Sequence, residues 1–198
     1  MTADIARPAR DRIVYAAAQS VRERGVAATG LRGVVAEAEA PRGSLQHYFP
    51  GGKDQLVGEA LRWSGNFAAD QVRHYARELR RPTPGTLFAA MARQWRDEFS
   101  RRGFQRGCPL VAAAADVAST DPQLRDTVRT GFDGWLAAVR QELRRMGVPA
   151  GRADSLAVLM ISALEGAIVL ARINQDVRPL TTVVRQLRPL LDEAVTAR

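Results

Sequence analysis

A chain of 198 residues, 46% hydrophobic and 25% charged, has room for one or two domains and a buried core. The single cysteine, Cys108, excludes an intrachain disulfide. The formal net charge of +8 suits a polyanionic partner, but its distribution does not point to one place. Residues 1–60 hold eight basic and seven acidic side chains, residues 61–106 ten and four, and residues 107–198 eleven and ten. The excess therefore lies in the middle of the chain, where arginine stems covering apolar helix surface account for it. Strand-like alternation is scarce, and the reading is all-α with about nine helices.

The opening MTADIARPARDR has no apolar run, so no signal peptide is expected and the expected location is cytoplasmic. Arg7 and Arg10 could reach a minor groove, although a disordered arm is the commoner arrangement. A first helix is predicted from Ala9 to Arg24, closed by Gly25, with Ile13, Val14, Ala17, Ala18 and Val21 as its apolar stripe. Two short helices follow. One covers Gly30 to Ala38 with Thr29 as its N-cap and Leu31, Val34, Val35 and Ala38 inward. The other starts at Pro41 and ends near Phe49, about three residues further on, with Leu45 and Phe49 inward. Gly43 and His47 then face outward, flanked by Ser44 and Gln46, with Arg42 in the first turn. Such a face suits base-edge reading, and Lys53, beside the N–H groups that open the next helix, suits a phosphate. A solvated helix pair on an all-α core is the bland alternative.

A long helix is predicted from Lys53 to Arg80, shared by both domains. Pro82 and Pro84 break the chain before a helix over 84–101 carrying Phe88, Met91, Trp95 and Phe99. Phe104 to Ser119 contains a small-residue helix. Asp121-Pro122 opens another helix, running to about Met146, as N-cap and first-turn proline. Residues 155–171 are apolar nearly all round, hence buried on more than one side. A membrane span is rejected on length and on Glu165 near the centre. A second subunit is the expected cover, with Ala163 and Gly166 permitting close approach. The last helix, Pro179 to Thr196, is expected to kink or split at Pro189. Paired with the apolar helix before it, it would form a four-helix dimer interface with Leu159, Val184, Leu187 and Leu191.

No metal site, cofactor loop or catalytic residue is evident. His47 and His74 are the only histidines, and Cys108 reads as a packing residue before an apolar run, with a redox thiol as the lesser alternative. The protein is not expected to be an enzyme. The aromatic and methionine residues of the second half fill a core or line a pocket, and core is the commoner fate.

The pattern Ala28-Thr29, Pro41-Arg42-Gly43-Ser44-Leu45 and His47-Tyr48-Phe49-Pro50 resembles the DNA-binding domain of TetR-type repressors. APRGSLQHYFPGGKDQL resembles their LmrA/YxaF branch. The resemblance implies an N-terminal helix-turn-helix three-helix domain, residues 1–52, and a C-terminal helical ligand-binding and dimerisation domain, residues 53–198. It implies a homodimer on a palindromic double-stranded DNA operator, released by a small hydrophobic or aromatic inducer, flavonoid-like or antibiotic-like. Thr29, Arg42, Gly43, Ser44, Gln46, His47, Tyr48 and Lys53 are the expected DNA-binding residues. Trp63, Phe67, Met91, Trp95, Phe132 and Trp135 are the expected pocket lining. Two departures from the family pattern stand out. Glu39 occupies a turn position where glycine is usual, which predicts a non-glycine residue at positive φ. Gln46 replaces the usual tyrosine. These keep open a helical small-molecule-binding or scaffold protein with impaired DNA reading.

Overall fold

The computed structural model describes residues 8–41, 43–117 and 121–195, and among them it holds nine α-helices and no strand. In chain order they are α1 (Ala9–Arg24), α2 (Leu31–Glu37), α3 (Ser44–Tyr48), α4 (Gly52–Glu78), α5 (Pro84–Arg102), α6 (Pro109–Val117), α7 (Pro122–Arg145), α8 (Ala150–Asn174) and α9 (Arg178–Asp192). Residues 1–65 and 108–132 form one compact unit, and residues 66–107 and 133–198 a second. The units interleave along the sequence: α4 and α7 contribute to both, and α6 belongs to the first.

In the first unit, α1 packs on α2, α3 and α6. Ile13, Ala17, Ala18, Val34, Phe49, Leu56 and Ala60 form its core, with Leu31, Leu45, Tyr48 and Trp63 packed on the edge. Gly25 ends α1 at φ +81°, as expected of a closing glycine. Asp121 caps α7 by accepting from the Leu124 N–H at 2.9 Å. α4 and α7 cross at two glycines. A Cβ on Gly65 would lie 2.6 Å from the Gly131 Cα.

In the second unit, α9 packs on α5 and α8. Thr83 and Thr86 make a reciprocal cap at the start of α5, and Asp192 of α9 accepts from the Gly85 N–H at 2.8 Å. Arg172 of α8 donates to the carbonyls of Phe104 and Gln105 at 3.2 and 2.7 Å, fixing the connection after α5. Met160, Leu164 and Ile168 bury the inner side of α8.

Two expectations are corrected. Pro189 neither splits nor ends α9, which is assigned helical from Arg178 to Asp192. α8 spans 25 residues, so the argument that the apolar segment is too short for a bilayer fails. Half of its most apolar stretch is instead buried within the protein, and Glu165 is buried in the same helix. Core helices of globular proteins meet the same measure of length and composition.

Candidate nucleic-acid interface

The two short helices of the first unit present a polar surface on an apolar base. Leu45 and Phe49, four residues apart, face the core as their spacing requires, and Phe49 is fully buried. Gln46 and His47 are exposed, and Ser44 is half-buried. Gly43 is exposed, and nothing lies within 4 Å of where its Cβ would be. A partner surface could therefore approach the backbone there without meeting a side chain.

α3 is shorter than predicted. Pro41 does not open it: the Ser44 N–H donates to the Pro41 carbonyl at 2.9 Å in a preceding turn, and Gly43 stands at the N-cap. The connection from α2 is correspondingly longer than three residues. Within it Glu39 adopts φ +49°, the left-handed conformation predicted where glycine is usual. Arg12 of α1 supports this turn, donating from Nε to the Ala38 carbonyl at 3.0 Å and from Nη2 to the Glu39 carbonyl at 3.3 Å. Spacing could not show this role, because the partners are 26 and 27 residues away.

Thr29 is not the side-chain cap of α2. Its hydroxyl donates back to the Gly25 carbonyl at 2.7 Å, the residue is buried, and Gly30 takes the N-cap position. Lys53 donates to the Ala27 carbonyl at 2.9 Å. Arg10 pairs with Glu59 at 2.6 Å and lies 5.4 Å from the Phe49 ring centre, so it is engaged on the domain itself rather than extended as an arm. Arg42 and Arg7 lie outside the described residues. Tyr48 is half-buried against the core and meets the His47 ring edge-on at 4.8 Å. Gln55 closes the turn after α3. Its side-chain carbonyl accepts from the Gly51 N–H at 2.9 Å, while its amide donates to Glu59 at 3.1 Å. Neither Arg12 nor Gln55 was singled out from sequence.

A family model for bacterial regulatory proteins of the tetR family matches residues 13–60, which take in α1 from Ile13 onward, α2, α3 and the start of α4. A second model, the C-terminal domain of LmrA/YxaF-like transcriptional regulators, matches residues 84–186. The HTH-type transcriptional regulator Rv0196 of Mycobacterium tuberculosis is 39% identical over 189 residues, covering 92% of this chain and 93% of the relative. This chain belongs to the TetR family of transcriptional regulators, in its LmrA/YxaF-like group. The HTH-type regulator LmrA of Bacillus subtilis is 26% identical over 182 residues, 92% of this chain and 96% of its own. Among solved structures, a TetR regulatory protein from Rhodobacter sphaeroides superimposes with a TM-score of 0.79 at 20% identity, covering 91% of this chain and 97% of that one. At that identity the likeness establishes the fold alone.

The remaining site residues of this TetR-family chain are distributed unevenly. Trp63, expected in a ligand pocket, instead packs edge-on against Tyr15 of α1, with ring centres 5.4 Å apart, on the core of the reading head. Phe132 also belongs to the first unit. Phe67, Met91, Trp95 and Trp135 belong to the second. Met91 and Trp135 are buried, Trp95 is half-buried beside Phe99 at 5.9 Å, and Phe67 is exposed. A groove of about 340 Å³ in that unit is lined instead by Leu79, Ala89, Arg93, Arg96, Thr181 and Val184, among others.

Of the expected dimer residues, Leu191 is fully buried within its own protomer and cannot face a partner. Its neighbour Leu190 is exposed. Val184 and Leu187 are half-buried, Leu159 and Gly166 are exposed, and Ala163 is half-buried. Sequence reading missed the rest of the exposed strip: Val158, Val169, Leu170 and, at 79% exposure, Ile173.

Proposed function

We propose that the chain is a homodimeric repressor that binds a palindromic operator and is released by a small hydrophobic or aromatic molecule. The exposed, nearly uncharged face of α3 carries this reading: Gly43, Gln46 and His47 outward, Leu45 and Phe49 inward. Such a face offers donors and acceptors to base edges without a side chain at Gly43 to hold the groove away. Gln46 is the candidate base reader, since its amide suits adenine. Ser44, His47, Tyr48, Arg42 and Lys53 are candidates for backbone contacts, which position without specifying. The family membership supports DNA binding as the activity.

Dimerisation is supported by the exposed apolar strip on α8. Leu159, Gly166, Leu170 and Ile173 recur on one helix face, and isolated globular proteins rarely leave such a strip bare. A dimer also spaces two reading helices about 34 Å apart, one turn of DNA. Met91, Trp95, Trp135 and Phe67 are the candidate inducer contacts in the second unit. Release would be a population shift: the inducer binds better to a conformer whose reading heads are misplaced for the operator.

The test is fluorescence anisotropy of the purified protein on labelled duplex from upstream of its own gene, over a salt series. Tight, sequence-selective binding that weakens steeply with salt is expected. Binding no tighter than to random duplex, there and after selection from a random pool, would reject the operator-binding reading.

A further inference from the structure

The turn from α1 into α2 is held by groups outside it. Gly25 turns the chain at φ +81°, and the next two amides then point at one carboxylate oxygen. Asp116 Oδ2 accepts from the Val26 N–H at 2.6 Å and from the Ala27 N–H at 3.4 Å. Asp116 lies on α6, 90 residues beyond Val26, outside the tetR match and inside the LmrA/YxaF-like one. The carbonyl side of the turn is held as well, by Thr29 on Gly25 at 2.7 Å and Lys53 on Ala27 at 2.9 Å. The fit is close: a Cβ on Gly25 would stand 2.5 Å from the same Oδ2. Val26 itself is buried, so its N–H has little access to water if the carboxylate is withdrawn.

We propose that Asp116 is a positioning residue of the DNA-reading head. By holding the Gly25–Thr29 turn it fixes the angle at which α2, and α3 after it, leave α1. This rests on the reading of α3 as the DNA-contacting element. A carboxylate accepting backbone N–H groups bonds more strongly than a neutral acceptor. Loss of it frees the turn while leaving the apolar core of the unit unchanged, because the Asp116 residue is itself exposed. The sign of the effect separates this role from simple electrostatics. Asp116→Ala raises the net charge above +8, which by charge alone would tighten binding to DNA. A positioning role weakens it.

The experiment uses the full chain and a duplex that the wild type enriches from a random-sequence pool, with a random duplex as control. Asp116→Ala is expected to bind the enriched duplex about tenfold more weakly, with an unchanged salt slope because no phosphate contact is lost. Amide exchange in the Gly25–Thr29 segment is expected to rise about tenfold, and the melting temperature to stay within a few degrees. Asp116→Asn, whose amide oxygen still accepts, is expected to recover part of both. Equal or tighter binding by Asp116→Ala alongside faster exchange would overturn the positioning role. Unchanged exchange would overturn the contact itself. A wild type that enriches no duplex would overturn the DNA reading, and this proposal with it, and is distinguishable because it fails before any substitution.

Discussion

The crossing of α4 and α7 lets one substitution report on backbone contact. At Gly65 an added Cβ would lie 2.6 Å from the Gly131 Cα, 3.2 Å from its carbonyl oxygen and 3.3 Å from its carbonyl carbon. Carbon atoms in contact prefer about 3.5–4.0 Å, so the two backbones must part by roughly 1 Å. Backbone cannot rotate aside as a side chain can. Overpacking of this kind costs about 3 kcal/mol, and replacing glycine by alanine inside a helix returns about 1 kcal/mol. Gly65→Ala should therefore destabilise by about 2 kcal/mol and lower the melting temperature by about 4–8 °C. The opposite position behaves differently. A Cβ on Gly131 meets the Leu110 Cδ2 at 3.0 Å and the Gly65 Cα at an ordinary 3.7 Å, so Gly131→Ala should lie within about 1 kcal/mol of the wild type. Gly134 has nothing within 4 Å and is exposed, so Gly134→Ala should stabilise by about 0.5–1 kcal/mol. Thermal unfolding followed at 222 nm, at one fixed protein concentration, gives the ranking. A Gly65→Ala protein as stable as Gly134→Ala would refute the argument that backbone contact sets the cost.

Other expectations follow from single sites. Glu39→Gly should stabilise by about 0.5 kcal/mol in urea unfolding, because it relieves a left-handed residue at φ +49°; a loss of stability would mean that the Glu39 side chain contributes more than the strain. Gly166→Arg places a long cation where a protomer leaves open space, so it should dissociate the proposed dimer in sedimentation velocity while the helical spectrum is kept; a dimer as tight as the wild type would place the dyad elsewhere. Gln46→Ala should relax base preference at one operator position, whereas Lys53→Ala should weaken binding to all duplexes; uniform weakening by Gln46→Ala would remove it from base reading. Tyr75 is raised to about 12, chiefly by burial, with Asp97 raising it further and Arg93 opposing. A phenol whose folded pKa exceeds its unfolded value stabilises the fold below the unfolded value. That contribution should fade between pH 10 and about 12, and Tyr75→Phe should flatten the fall of the melting temperature over that window.

Much of the helical plan was legible because its signals are short-range. Gly25, Pro84 and Asp121-Pro122 act on the helix they border, so the end of α1 and the starts of α5 and α7 fall where residue chemistry puts them; the Thr83 cap of α5 was not singled out. Glu39 is a different case: positive φ there was implied by the resemblance, which puts glycine at this turn position, and Glu39 does adopt φ +49°. α3 was less legible, because Pro41 is equally at home in a turn and in a first helical position, and sequence does not choose between them.

Composition determined that α8 is apolar nearly all round and periodicity that α9 carries an apolar face, but neither determined what covers each residue. Leu190 and Leu191 are adjacent leucines on one helix; packing against the rest of the protomer buries the second and leaves the first exposed. Trp63 reads from its neighbours as a residue of the second half, yet Tyr15, 48 positions earlier in the numbering, claims it for the reading head. Residues 108–132 join the first unit for the same reason, through contacts of α6 with α1 that no local pattern records. The sequence by itself determined that the chain is helical, the closing glycine of α1 and the opening prolines of α5 and α7, and the family of the reading head. The tertiary structure alone decided that Arg12, Gln55 and Asp116 hold the turns around α2 and α3. Helix propensity and capping act within a few residues, whereas the acceptor that reaches a given buried N–H is chosen by the whole packed chain.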